Sequence, residues 1–120
     1  MKRRILVVDD EPQVLELLKL HLVGAGYSVM ALSSGKDALL AVETNSFDLL
    51  VLDLGLPDID GFDVLRAVRA KKPDLKVIAT SGYLSEPVLK IAGFLGSSGQ
   101  LQKPISQAAL LDAVRHAIGE

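Results

Sequence analysis

The chain contains no cysteine and no tryptophan. Without cysteine there is no disulfide framework and no thiolate metal or redox site. Aromatic residues make up only 4% of the 120 residues although 49% are apolar, so the core has to be aliphatic. A strong charge excess is missing as well. The formal net charge of −2 argues against a general nucleic-acid or membrane surface, both of which favour a basic excess. Long apolar runs are lacking too. After the basic residues at the N-terminus, the apolar run Ile5 to Val8 meets two acids and is too short for a signal peptide or a membrane span. The simplest expectation is one cytoplasmic domain over residues 1–120, with chain enough for a single sizeable core.

What is present is organised around Phe47 to Gly61. Leu49-Leu50-Val51-Leu52 is an unbroken apolar run that stops at one carboxylate, Asp53, and a loop with Gly55, Pro57, Asp58, Asp60 and Gly61 follows. A short apolar run bounded by turn residues reads as a strand buried on both faces of a parallel sheet. Ile5 to Val8 is a second such run and ends in Asp9-Asp10-Glu11. Pro12 suits the first turn of a helix, where its missing N–H costs nothing. Val14, Leu15, Leu18 and Leu22 then recur at helical spacing until Gly24 and Gly26 end the helix.

Ser28 to Leu32 predicts a strand, and Ser34 with Asp37 resembles a capping box that opens the next helix. After Gly61 a helix runs through Val64, Leu65 and Val68 until Pro73-Asp74 breaks it. Val77 to Ala79 predicts a strand ending in Thr80-Ser81-Gly82. Ser85 is expected to cap a short helix, Gly93 to Gly99 to form a glycine- and serine-rich loop, and Leu101 to belong to a last strand that delivers Lys103-Pro104. Ser106 is expected to cap a final helix through Leu110, Leu111, Val114 and Ile118.

Strand then helix, five times over and without a linker, implies a parallel sheet with helices on both faces. The common doubly wound order for five strands is 2-1-3-4-5, with its switch point between strands 1 and 3. Asp9-Asp10 end the first of these and Asp53 ends the third, so the acids fall at the expected ligand crevice. Thr80-Ser81-Gly82 and Lys103-Pro104 join the same rim. Clustered carboxylates repel and favour either protonation or a bound cation. Sulfur-free oxygen ligation suits Mg²⁺, and a hydroxyl and an ammonium beside it suit phosphoryl oxygens. The cluster reads as a phosphoryl-handling site in which a carboxylate can act as nucleophile and form an aspartyl-phosphate.

The strings ILVVDDEP, LLVLDLGLPDIDG, VIATSGY and LQKPIS, in this order and across the whole chain, resemble the receiver domain of two-component response regulators (the CheY-like superfamily). The resemblance implies a flavodoxin-like (βα)5 fold. It implies Asp53 as phosphoacceptor, and Mg²⁺ held directly by Asp10 and Asp53, through water by Asp9, and by the Gly55 carbonyl. Ser81 would hydrogen-bond the phosphoryl group and Lys103 would pair with it. Phosphate would come from a histidine kinase or a histidine phosphotransfer protein, and a downstream protein would read the result. The domain would act only on itself and not as an enzyme on external substrates, as a monomer or weak dimer without direct contact to nucleic acid or membrane.

One position departs from the family. Three residues before the lysine, where an aromatic is common, stands Gln100, so a rotamer switch of the usual kind is not expected. That departure leaves open a second reading, a phosphorylation-independent interaction module. A third, an aspartyl phosphatase of the haloacid-dehalogenase type, needs a second Asp two residues after the nucleophile, where this chain has Gly55.

The bland readings are these. Asp9 and Asp10 could cap the first helix, Glu11 is a helix N-terminal acid, and Asp58 and Asp60 are solvated turn residues. Thr80 packs locally, and His21 and His116 are ordinary helix residues. Leu17 and Leu20 lie off the core stripe of the first helix; the bland reading is a helix with a wide buried face, and the resemblance implies a docking surface for the phosphodonor. Tyr83, with Gly55, is expected to flank and shield the path of a water attacking the phosphoryl group. With nothing after Glu120, output is expected as a surface change around Tyr83 to Gly99 and the final helix, unless these residues are the N-terminal piece of a longer regulator.

Overall fold

The computed structural model describes residues 2–83 and 85–120. Leu84, within the stretch expected to carry output, lies outside the described residues, as does Met1. Five strands, β1 (Arg4–Val8), β2 (Ser28–Leu32), β3 (Leu49–Asp53), β4 (Lys76–Ser81) and β5 (Gly99–Gln102), alternate with five helices, α1 (Pro12–Gly24), α2 (Gly35–Thr44), α3 (Gly61–Lys71), α4 (Glu86–Phe94) and α5 (Gln107–Ile118). The strands are all parallel and lie in the order β2-β1-β3-β4-β5, as the alternating pattern predicts.

Each central strand is buried on both faces, so successive residues enter different cores. Leu6, Val8, Leu50, Leu52 and Val77 pack under α2 and α3 with Ala38, Val42, Val64, Leu65 and Val68. Ile5, Val7, Leu49, Val51 and Ile78 pack under α1 and α5 with Leu18, Leu22, Leu110 and Val114. This is why the runs read as continuous apolar strings rather than alternating ones. Every residue of β3 is buried, including its terminal Asp53.

The register sets the rim. Val8 pairs with Leu52 across β1 and β3. Asp53 pairs with Thr80, and Ser81 with Gln102. The residues just beyond these pairs, Asp9, Asp10 and Lys103, therefore leave the sheet at the same edge as Asp53.

The expected serine caps form. Ser34 Oγ accepts from the Asp37 N–H, Ser85 Oγ from Val88 and Ser106 Oγ from Ala109. Three expectations fail locally. Asp10 caps nothing; α1 opens at Glu11 without a side-chain cap, and it is Asp9 Oδ1 that accepts the Glu11 N–H at 2.9 Å. Asp60 is not merely a solvated turn residue but the N-cap of α3, accepting from Phe62 N–H at 2.8 Å. The loop expected from Gly93 to Gly99 is shorter: Gly93 belongs to α4 and Gly99 to β5. Packing of the fully buried Ala92 holds the end of α4, and pairing of Gly99 with Ile78 holds the start of β5. Tertiary contacts of this kind override the roughly 1 kcal/mol by which glycine disfavours a helix.

Candidate functional site

The carboxyl ends of β1 and β3 bring Asp9, Asp10 and Asp53 together, with one oxygen of each within 4.8 Å of the others. Asp9 and Asp53 are buried, and Asp10 is the most exposed of the three. Lys103 joins them from the far side of β4. Its backbone N–H donates to the Ser81 carbonyl at 2.8 Å, which anchors the residue one strand away. Its side chain then spans the end of β4, and Nζ lies 2.8 Å from Asp9 Oδ2, 3.0 Å from Glu11 Oε1 and 3.1 Å from Asp53 Oδ2.

The charges are mutually dependent. Burial pushes the Asp9 carboxyl above the usual carboxylate range; Lys103 and the Glu11 N–H oppose this, and Asp53 adds to it. For Lys103 burial alone would favour the neutral amine, but Asp9, Glu11 and Asp53 outweigh it and hold the ammonium well above the usual lysine range. Lys103 is thus a fixed positive charge at the rim.

Asp53 presents both oxygens. Oδ1 accepts from the Gly55 N–H at 2.9 Å and Oδ2 from Lys103. Asp9 Oδ2 is different: although 2.8 Å from Nζ, it is buried with no donor aligned to it as a hydrogen bond. A buried oxygen short of a donor, in a cluster of three carboxylates without sulfur or nitrogen ligands, suits a hard cation. The acidic cluster could therefore hold a metal ion, with Asp9, Asp10 and Asp53 as the available carboxylate donors.

The remaining site residues fall as follows. Ser81 stands at the end of β4, but its hydroxyl is turned into its own loop: Oγ donates to the Tyr83 carbonyl at 3.0 Å and accepts from the Tyr83 N–H at 3.2 Å. Thr80 is buried beside Asp53. The Tyr83 ring is exposed. Gln100 donates through Nε2 to Ser97 Oγ, so the amide at the unusual position is tied to the loop before β5. His21 and His116 lie within α1 and α5. Leu17 and Leu20 are exposed on α1, at 49% and 61%, with Val23 beside them in sequence.

Two residues do more than the sequence suggests. Glu11 is not only a helix N-terminal acid, because its carboxylate holds Lys103. Its position directly after two acids that end a strand was the available signal. Asp58 is not merely solvated. Its two oxygens accept the Gly35 and Lys36 N–H groups at 3.0 Å each, tying the loop after β3 to the start of α2. These hydrogen bonds hold its carboxyl below the usual range. No local pattern could have revealed a contact across 23 residues. A groove of about 540 Å³ lies far from this chemistry at the opposite end of the sheet, between Arg3, Phe47, Lys72, Lys76 and His116. None of the rim residues lines it.

Comparison with known proteins gives a consistent result. Residues 5–115 match the family described as the response regulator receiver domain. The transcriptional regulatory protein KdpE of Mycobacterium tuberculosis is 39% identical over 98 residues, covering 82% of this chain and 38% of KdpE. The alkaline phosphatase synthesis transcriptional regulatory protein PhoP of Bacillus subtilis is 37% identical over 107 residues, covering 88% of this chain and 44% of PhoP. The chain thus spans less than half the length of these relatives. Among solved structures, a CheY-like receiver domain protein from Methanospirillum hungatei superposes with a TM-score of 0.95 at 28% identity, covering 99% of this chain and 95% of that one. A response regulator described as putative in its source, Chloroflexus aurantiacus, gives 0.93 at 30% identity over 100% of both chains.

Proposed function

Because this chain belongs to the receiver domain family of two-component response regulators, we propose that Asp53 accepts a phosphoryl group from a phosphohistidine donor and that the phosphorylated domain signals through its surface. The observation that carries this reading is the Lys103 ammonium 3.1 Å from Asp53 Oδ2, beside a carboxylate cluster fitted to a cation. An Asp53 oxygen attacks phosphorus as the bond to the donor's histidine nitrogen breaks, and the imidazole keeps that electron pair. Phosphoryl transfer of this kind requires chiefly positioning and charge neutralisation. Lys103 supplies one fixed charge. Asp9, Asp10, Asp53 and the Gly55 carbonyl would hold Mg²⁺, which when bound neutralises charge on the phosphoryl oxygens.

Ser81 completes the site by redirecting the proton it donates to Tyr83. Its hydroxyl holds both the carbonyl and the N–H of Tyr83 in this structure. A hydroxyl has one proton to donate, so donating to a phosphoryl oxygen gives up the bond to the Tyr83 carbonyl. The exposed Leu17 and Leu20 on α1 suit docking of a histidine kinase or histidine phosphotransfer protein. The domain acts on no external substrate. Gln100, tied to Ser97 where an aromatic is common, favours a second reading in which the domain binds partners without being phosphorylated.

Intact-mass analysis after incubation with acetyl phosphate, with and without Mg²⁺, decides between these readings. A single Mg²⁺-dependent phosphoryl adduct that is absent from Asp53→Asn supports the first. No adduct on the folded wild type with any donor would sink it and leave the interaction module.

A further inference from the structure

We infer that Asp58 is a positioning residue for the metal-binding loop, fastening the segment that carries Gly55 to the N-terminus of α2. The inference rests on the reading of Asp53 and its neighbours as an Mg²⁺-dependent phosphorylation site.

The segment from Leu54 to Asp60 connects the phosphoacceptor to α3. Its two ends are fixed by close packing. Gly55 donates to Asp53 Oδ1 at 2.9 Å, and Leu56 is buried in the core shared with α2 and α3. At the other end Asp60 caps α3, and Gly61 lies so near Leu54 that a Cβ there would collide with the Leu54 backbone. Between these ends the exposed Pro57 offers no anchor. The middle is held instead through Asp58 and Ile59, both against Gly35 at the start of α2. Asp58 accepts the Gly35 and Lys36 N–H groups, and a Cβ on Gly35 would collide with the Ile59 side chain.

The first N–H groups of a helix have no partner within it. Here they are divided between two caps. Ser34, from the preceding turn, takes the Asp37 N–H, whereas Asp58, from 23 residues along the chain, takes those of Gly35 and Lys36. Both caps stabilise α2, but only Asp58 passes that constraint to the loop holding Gly55. Groups that orient metal ligands commonly change metal affinity without touching the metal.

This asymmetry supplies the test. Mg²⁺ titration of the full chain, followed by amide NMR shifts, is made on wild type, Ser34→Ala, Asp58→Ala and Asp58→Asn, alongside thermal melting. Removing either cap lowers Tm. Ser34→Ala keeps the wild-type Mg²⁺ affinity, and Asp58→Ala weakens it on the order of tenfold, the lower end for loss of a ligand-orienting partner. Asp58→Asn removes the same charge but keeps one acceptor and falls between them, which separates geometry from simple electrostatic loss. Hydrogen exchange of the Gly55 amide in metal-free protein is faster in Asp58→Ala than in Ser34→Ala. Equal Mg²⁺ affinity in the two alanine variants overturns the positioning role. If Asp58→Ala does not fold, wild-type affinity in Asp58→Asn together with unchanged Gly55 exchange overturns it. A wild type that binds no Mg²⁺ removes the underlying reading instead.

Discussion

Lys103 Nζ donates to Glu11 Oε1 at 3.0 Å, joining residues 92 positions apart, and Glu11 lies outside the three-carboxylate cluster. Asp9 and Asp53 hold the lysine inside the site, whereas Glu11, with its side chain 59% exposed, holds it from the solvent side.

In the proposed phosphorylation Glu11 would compete with an incoming phosphoryl group for Lys103 and add a negative charge to its approach. Exposed ion pairs of this kind are worth roughly 0.2–1 kcal/mol. Glu11→Gln is expected to speed phosphorylation by acetyl phosphate about two- to fivefold, an effect that shrinks with added salt. The slope of observed rate against donor concentration measures it. A slower reaction in the variant would show that Glu11 aims the lysine rather than restrains it.

Lys103→Met removes the charge that compensates two buried carboxylates, Asp9 and Asp53. Leaving such groups unpaired is destabilising, on the order of 1–3 kcal/mol after relaxation and water entry. The variant is expected to unfold at lower urea concentration at neutral pH and to lose phosphorylation. Double substitution with Asp53→Asn should recover part of the stability and none of the activity. An undiminished urea midpoint in Lys103→Met would mean that the carboxylates need no partner.

Asp58 links the α2 cap to acid stability. The Gly35 and Lys36 N–H groups hold its folded-state carboxyl below the ordinary 3.8. A lowered carboxylate contributes stability that is present above the unfolded value and is lost as pH falls through the folded one. Wild type is therefore expected to lose this contribution only below about pH 3.8. Asp58→Asn should start less stable at neutral pH and show a shallower acid decline. Parallel acid profiles of Tm for the two proteins would contradict the assignment.

Leu17 and Leu20 are surplus to the core, and nothing about the fold requires leucine there. Changing both to serine is expected to leave Tm nearly unchanged and transfer from acetyl phosphate unaffected. Transfer from the cognate histidine donor should slow by about tenfold, as expected when an apolar anchor of more than 1 kcal/mol is removed. Equal slowing with both donors would locate the defect in the site and not in docking.

The fold was legible because its signals are local and repeated. Ile5–Val8 and Leu49–Leu52 read as doubly buried strands, Ser34, Ser85 and Ser106 as helix caps, and the alternation of elements left one common doubly wound order. The Asp60 cap reaches only to Phe62 and was locally legible; the differences at Gly93, Gly99 and Asp58 arise where a distant neighbour decides the outcome. Composition places Gly93 and Gly99 in a loop, yet packing of Ala92 and pairing with Ile78 draw them into α4 and β5. Asp58 and Asp60 look alike in sequence; each is a cap, one for its own helix and one for another.

The sequence by itself determined which residues meet at the rim. Three strand ends are written in the chain as apolar runs that stop at Asp9-Asp10, Asp53 and Thr80-Ser81, Lys103-Pro104 follows the last short strand, and a parallel sheet brings all such ends to one edge. No membrane-spanning helix is found among the described residues, in keeping with the short apolar runs. Only the tertiary structure decided how those side chains share their bonds. It gave Lys103 three carboxylate partners, turned the Ser81 hydroxyl to Tyr83 and set Asp58 on α2. Hydrogen-bond partners across tens of residues depend on where whole helices and strands settle, and that is a property of packing.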